Sequence, residues 1–155
     1  MNNASLHSVS VAAVIIDERD RVLVVQRRDT EKWEIPGGVL ELDESIHAGL
    51  RREVEEETGL SIEPGALTGV YKNMRLGVVA LVFRATVNGG DAHPTEESIQ
   101  VDWWTREDVS ARMAEVFAVR VLDALVAEVP LIRLHDGIKL LTDRHPEAPA
   151  ADATP

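Results

Sequence analysis

A chain of 155 residues, 45% of them hydrophobic, is enough for one domain around one core, and the expected domain runs over 1–141. Cys is absent, which excludes a disulfide, a thiolate metal site and a Cys nucleophile, and no apolar run reaches the length that spans a bilayer. A net charge of −11, from 27 acidic and 16 basic residues, argues against a nucleic-acid polymer as partner and requires divalent cations if the substrate is a polyphosphate.

The opening MNNASLHSVS lacks the basic and apolar regions of a signal peptide, so a soluble cytoplasmic protein with no membrane partner is expected. Val9 to Ile16 is a β-branched run that reads as a buried strand. After the polar turn Asp17-Glu18-Arg19-Asp20, Arg21 to Arg27 reads as its hairpin partner. Trp33-Glu34-Ile35 is a short extended piece that Pro36-Gly37-Gly38 breaks. Asp43 to Thr58 is the clearest helix, with Asp43 as N-cap and Gly59 as its C-terminal stop. Leu67 to Lys72, Val78 to Val87 and Ile99 to Trp104 are further strands, with Asn88-Gly89-Gly90 turning the chain between the last two. Thr105 caps a helical stretch whose apolar stripe is Val116, Val119, Leu122, Val126 and Val129, ended by Pro130. Residues 131–141 form a terminal hairpin on the Asp136-Gly137 turn, and residues 142–155, rich in Pro and Ala, are expected to be a disordered tail. The order of strands, helix, strands and helix predicts an α/β fold, a mixed sheet with helices on both faces.

Residues 38–60 hold the densest pattern in the chain. Gly38, Glu44, Arg52, Glu53, Val54, Glu56, Glu57, Gly59 and Leu60 fit G-x5-E-x7-R-E-U-x-E-E-x-G-U, with U a bulky aliphatic, at every position. At average residue frequencies such a match arises by chance in fewer than about one chain in a million. The segment also carries seven acidic side chains against two arginines, nearly half of the chain's excess charge. A charge run is ordinarily a solvated helix face. Here the pattern outweighs that reading, because it is the Nudix box, and the chain resembles the Nudix hydrolases, the MutT-like pyrophosphatases. The resemblance covers roughly residues 9–129. It implies an α/β/α sandwich with the box as a loop-helix-loop, and a hydrolase that cleaves a phosphoanhydride in a nucleoside diphosphate linked to another group.

Helix geometry makes chemical sense of the box. Glu53, Glu56 and Glu57 stand at i, i+3 and i+4, so their carboxylates crowd one side near a C-terminus that is already electronegative. A hard divalent cation relieves that conflict, so these three are read as ligands of Mg²⁺, with Mn²⁺ as the other candidate ion. Ile46, Leu50 and Val54 supply the apolar stripe that anchors the helix. Gly49 leaves room either for phosphate or a second metal, or for a packing contact, and Gly37 and Gly38 let the loop adopt conformations closed to other residues and pass close to metal and phosphate. The family pattern pairs Glu44 with Arg52 as a brace for the loop-helix-loop. Metal-activated water is the expected nucleophile. The general base is Glu57 or Glu56 in the box, or, as in relatives with a loop base, Glu97, with Glu96 beside it as competitor.

Outside the box, the resemblance points to Arg27 and Arg28 as phosphate contacts, against the alternative of a solvated strand end. Trp33 and Tyr71 are candidates to stack on a base, although aromatics on sheets are more often core. One ring of Trp103-Trp104 should face inward. His47 turns away from the metal face, and His135-Asp136, which could suggest a metal or base pair, is explained by the Asp136-Gly137 turn without chemistry. The run Trp33-Glu34-Ile35-Pro36-Gly37-Gly38 resembles MutT-type nucleoside triphosphate pyrophosphatases, and the proline common in ADP-ribose pyrophosphatases is missing between Pro64 and Pro94. A (d)NTP is therefore the first substrate choice. ADP-ribose, a nucleotide sugar, or a nucleotide-binding module without turnover are the alternatives, and a homodimer is expected by analogy with relatives.

Overall fold

The computed structural model describes residues 5–143. In chain order the elements are β1 (Ser8–Ile15), β2 (Val22–Arg27), β3 (Trp33–Glu34), β4 (Gly37–Val39), α1 (Ile46–Thr58), β5 (Ser61–Asn73), β6 (Val78–Gly89), β7 (Ser98–Trp104), α2 (Arg106–Arg112), α3 (Glu115–Val126), β8 (Leu131–His135) and β9 (Leu140–Leu141). A six-stranded sheet runs β4-β1-β6-β5-β8-β9, and a three-stranded antiparallel sheet runs β3-β2-β7. The larger sheet is mixed, because β1 pairs with β6 and β5 with β8 in parallel while its other pairs are antiparallel.

Alternation along β1 builds the layers. Val11, Ala13 and Ile15 pack in one cluster with Leu50 and Val54 of α1. Ala12 and Val14 pack on the other face with Val109 of α2 and Ala118, Val121 and Ala124 of α3. Helices therefore cover both faces, as the order of elements predicts. Among the described residues no helix is long and apolar enough to cross a membrane.

Several elements differ from expectation for physical reasons. The Asp17 turn forms, with its carboxylate accepting the Arg19 and Arg21 N–H groups, but β1 and β2 are not a hairpin. One bridge, Ile16 to Val22, joins them, because β4 and β6 already occupy both edges of β1. Gly37 and Gly38 do not break the chain; they are strand residues opposite Ala12 and Val11. The helix N-cap is Ser45 rather than Asp43, its hydroxyl accepting the Ala48 N–H at 3.1 Å. Gly59 closes α1 at φ 77°, a left-handed position suited to Gly. Ile46, expected in the core, is 44% exposed in the first turn, so Leu50 and Val54 anchor the helix.

Thr105 does cap α2, in a reciprocal capping box with Asp108. The following stretch is a separate helix that stops at Val126, and Val126 and Val129 are exposed. Its buried line is Val116, Ala118, Val121 and Ala124; the two alanines lie close to the sheet and carry too little apolar signal to mark that face. Leu134 pairs with Leu141 across the Asp136-Gly137 turn, and β8 also adds to the sheet beside β5. The expected tail at 142–155 lies almost wholly outside the described residues.

Candidate active site

The box folds as strand, loop and helix, and each end is held differently. Arg52 on α1 reaches back to the loop and donates to both Glu44 oxygens, at 2.9 and 2.6 Å, and to the Val39 carbonyl at 3.2 Å. That bidentate contact holds the Glu44 carboxyl at about 2, while Glu44 also accepts the Glu41 N–H. The remaining Arg52 nitrogen donates to Glu53 and Glu56, at 2.9 and 3.2 Å.

At the other end, single carboxylate oxygens of Glu53, Glu57 and Glu97 lie within 4.8 Å of one another. Glu53 and Glu57 are buried, at 8% and 6% exposure, and Glu97 is exposed. Burial pushes the Glu57 carboxyl up to about 8, against the pull of the Gly37 N–H, which it accepts at 3.2 Å, and of Arg27; Glu53 and Glu97 push the same way as burial. Burial also raises Glu53, opposed by Arg52. Glu56, expected with Glu53 and Glu57, is turned to solvent and to Arg52 instead.

Small residues let these parts meet. A Cβ on Gly37 would strike the backbone of Val11 and Ala12, and one on Gly38 would strike the Glu53 carboxylate. Neither has positive φ, so their need is for space, not for unusual backbone angles. A Cβ on Gly49 would meet Leu40 and the Glu44 carboxylate, which decides its open choice in favour of packing.

Arg27 forms a two-bond pair with Asp29, at 2.9 and 2.8 Å, and lines two clefts. One cleft, of about 430 Å³, also holds Arg28, Glu57, Glu96 and Glu97. The other, of about 420 Å³, is bordered by Glu34, Gly37 and Gly38. Arg28, expected to face phosphate, instead grips the turn that carries Glu97. Its side chain donates to the carbonyls of Thr95, Glu96 and Ser98, and its N–H to that of Glu97. The Ser98 hydroxyl ties the same turn to the Glu57 carbonyl at 2.8 Å.

The aromatic candidates fall elsewhere. Tyr71 is fully buried and its hydroxyl donates to Asp123 at 2.8 Å, so it cannot stack on a substrate; burial raises its ionisation. Trp33 packs against Trp104, ring centres 4.7 Å apart, with Arg112 over Trp104. Trp104 is the inward ring of the pair and Trp103 is half-buried. His47 meets Phe83 edge-on, and Asp136 accepts the N–H groups of its own turn. Arg120, which the sequence does not single out, and His135, set aside there as part of a turn, both line the Glu34 cleft. A lone Arg on an apolar helix was the available signal for the first, and burial, invisible in a turn motif, hid the second.

The model of the NUDIX domain matches residues 6–125. A "MutT-like protein" of Streptomyces ambofaciens is 54% identical over 136 residues, 88% of each chain. The "8-oxo-dGDP phosphatase NUDT18" of Danio rerio is 36% identical over 104 residues, 63% of this chain but 32% of that protein, so the chain spans about a third of its length. Among solved structures, the MutT protein of Methanosarcina mazei superposes with a TM-score of 0.66 at 30% identity, over 76% of this chain and 94% of that one. With an unbroken box and relatives matched along most of its length, the chain belongs to the Nudix hydrolases.

Proposed function

We propose that this Nudix hydrolase is a Mg²⁺-dependent pyrophosphohydrolase of a (d)NTP, with Mn²⁺ able to replace Mg²⁺. The observation that carries the reading is the convergence of Glu53, Glu57 and Glu97 within 4.8 Å, two of them buried. Their charge is under-compensated, because Arg52 is shared with Glu44 and Arg27 is paired with Asp29. Clustered carboxylate oxygens, those of Glu53 and Glu57 held back from ionisation by burial, suit a hard divalent cation, which when bound neutralises a diphosphate and acidifies water. Glu53 and Glu57 hold that ion, and Glu56 joins them by giving up its bond to Arg52. Glu97, exposed and facing the same point, accepts the proton of the attacking water, and Arg28 keeps it there. Gly37 and Gly38 bring β4 against the substrate, and Arg27 offers its guanidinium to a phosphate.

The (d)NTP preference rests on the Trp33–Gly38 run; the name of the Danio rerio relative adds oxidised purine nucleotides to the candidates. The same reading has one cytoplasmic domain, free of nucleic-acid polymers and membranes, and pairing of two copies. A panel of dNTPs, oxidised dGTP, ADP-ribose, NADH, dinucleoside polyphosphates and nucleotide sugars tests it. Turnover with Mg²⁺ that Glu57→Gln removes is expected. Turnover that Glu57→Gln retains overturns the chemistry.

A further inference from the structure

Arg27 ends β2 with the charges of three carboxylates acting on it, those of Asp29, Glu34 and Glu57. Asp29 alone holds it. The Arg27 Nε and Nη2 donate to the two Asp29 oxygens at 2.9 and 2.8 Å, and among the described residues no ion pair joins Arg27 to Glu34 or Glu57. Burial favours the reverse choice. Glu34 is half-buried and Glu57 buried, and desolvation raises both carboxyls. Either would gain more from a guanidinium than exposed Asp29, whose carboxyl the Arg27 fork holds at about 2.

Local geometry overrides that preference. The chain turns back just after Arg27, whose N–H donates to the Lys32 carbonyl and whose carbonyl accepts the Glu31 N–H, both at 2.9 Å. Glu31 sits at φ 60°, a left-handed angle that few residues with a side chain adopt, and the Gln26 side chain donates to its carbonyl at 3.0 Å. The turn so built presents Asp29, whose carboxylate also accepts the Thr30 N–H at 2.8 Å. Across the sheet, the β2–β7 ladder slips by one residue: Gln26 pairs with Gln100, but Arg27 pairs with Ser98. A bulge of this kind re-aims a side chain, and Arg27 shares a cleft with Asp29, Glu57 and Glu97.

A guanidinium carries five N–H groups in a fixed plane, and Asp29 takes one edge of it. The Arg27 Nη1 donates to no described residue. Without its anchor, Arg27 would fall onto Glu57 or Glu34 and answer the charge that the cation is there to answer. We infer that Asp29 is a positioning residue for phosphate binding: by gripping the Nε edge of Arg27 it holds the guanidinium off Glu34 and Glu57 and leaves the Nη1 end free for a substrate phosphate. The inference rests on the hydrolase reading above, in which Arg27 meets phosphate, and adds the residue that aims it.

A double-mutant cycle tests it, read first with dGTP and Mg²⁺. Asp29→Ala should raise KM by about tenfold while kcat falls by less than about threefold, because ground-state and transition-state phosphate contacts weaken together. In an Arg27→Ala background the same change should move KM by less than about twofold, since Asp29 acts only through Arg27. Glu31→Gln removes one negative charge from the same turn without touching Arg27, and should leave KM within about twofold. Asp29→Asn, which keeps the shape of the side chain, carries the comparison should Asp29→Ala fail to fold. Calorimetric titration with inorganic pyrophosphate and Mg²⁺, which needs no nucleotide turnover, should show the same loss of affinity and the same dependence on Arg27. An unchanged or lowered KM in Asp29→Ala overturns the assignment, the lowered value making Asp29 a competitor of phosphate. An equal effect without Arg27, or from Glu31→Gln, also overturns it and leaves only a general charge effect. If dGTP is not hydrolysed, the substrate reading fails by itself. The pyrophosphate titration still decides on Asp29: a loss of affinity that depends on Arg27 keeps the assignment, and its absence removes it.

Discussion

The Glu44 end and the Glu57 end of the box contain the same functional group in opposite electrostatic conditions. Glu44 receives two bonds from Arg52 and is held at about 2, a carboxylate whose charge the fold has already answered. Glu57 is buried beside Glu53 and Glu97 with one backbone N–H for support, and is pushed up to about 8. The contrast separates brace from site within 23 residues. Where charge is matched, the motif has a joint; where it is left unmatched at some cost to the metal-free fold, it has room for a cation.

The largest effect that sharpens this comparison is expected from Glu57→Gln. It should lower kcat/KM by about a thousandfold while leaving the metal-free melting temperature unchanged or higher, because it replaces a buried carboxyl that is costly to ionise with a neutral amide of the same shape. Arg28→Ala should come next, at about ten- to a hundredfold in kcat, with Arg28→Lys failing to rescue, because one ammonium cannot reproduce a fork to three carbonyls. Glu44→Gln should cost about tenfold in rate by freeing Arg52 to pull Glu53 aside, and it should lower the melting temperature, which Glu57→Gln does not. The smallest effect is in pH. The Glu57 pKa is raised from 4.5 to about 8 on folding, so the folded state binds the extra proton. Its contribution to stability is full below about pH 4.5 and is lost as pH rises toward 8. Calorimetry in chelator should show that decline in wild type and a flatter profile in Glu57→Gln.

What was legible in the chain follows the range of the interactions. The box helix, the Gly59 stop and the Thr105 cap are local, and residues within one turn determine them. That β1 and β2 belong to different sheets is not local: both are apolar runs across a good turn, and their separation depends on β4 and β6, which arrive from elsewhere. The buried face of α3 was misread because alanines make it. In the site, Glu53 and Glu57 follow from helical spacing, but the third carboxylate of the cluster is Glu97 rather than Glu56. No spacing rule links residues forty positions apart. Arg28 illustrates the same limit, since an Arg at a strand end looks equally suited to a phosphate or to a row of carbonyls.

The claim that the cluster is built for a cation is tested most directly by counting protons released when Mg²⁺ binds. Calorimetric titration at pH 7 in buffers of different ionisation enthalpy measures this without substrate. A Glu57 carboxyl at about 8 is mostly protonated at that pH, so the account predicts release approaching about one proton per ion bound, abolished in Glu57→Gln together with most of the affinity. Binding without proton release, or binding that survives Glu57→Gln intact, would contradict it.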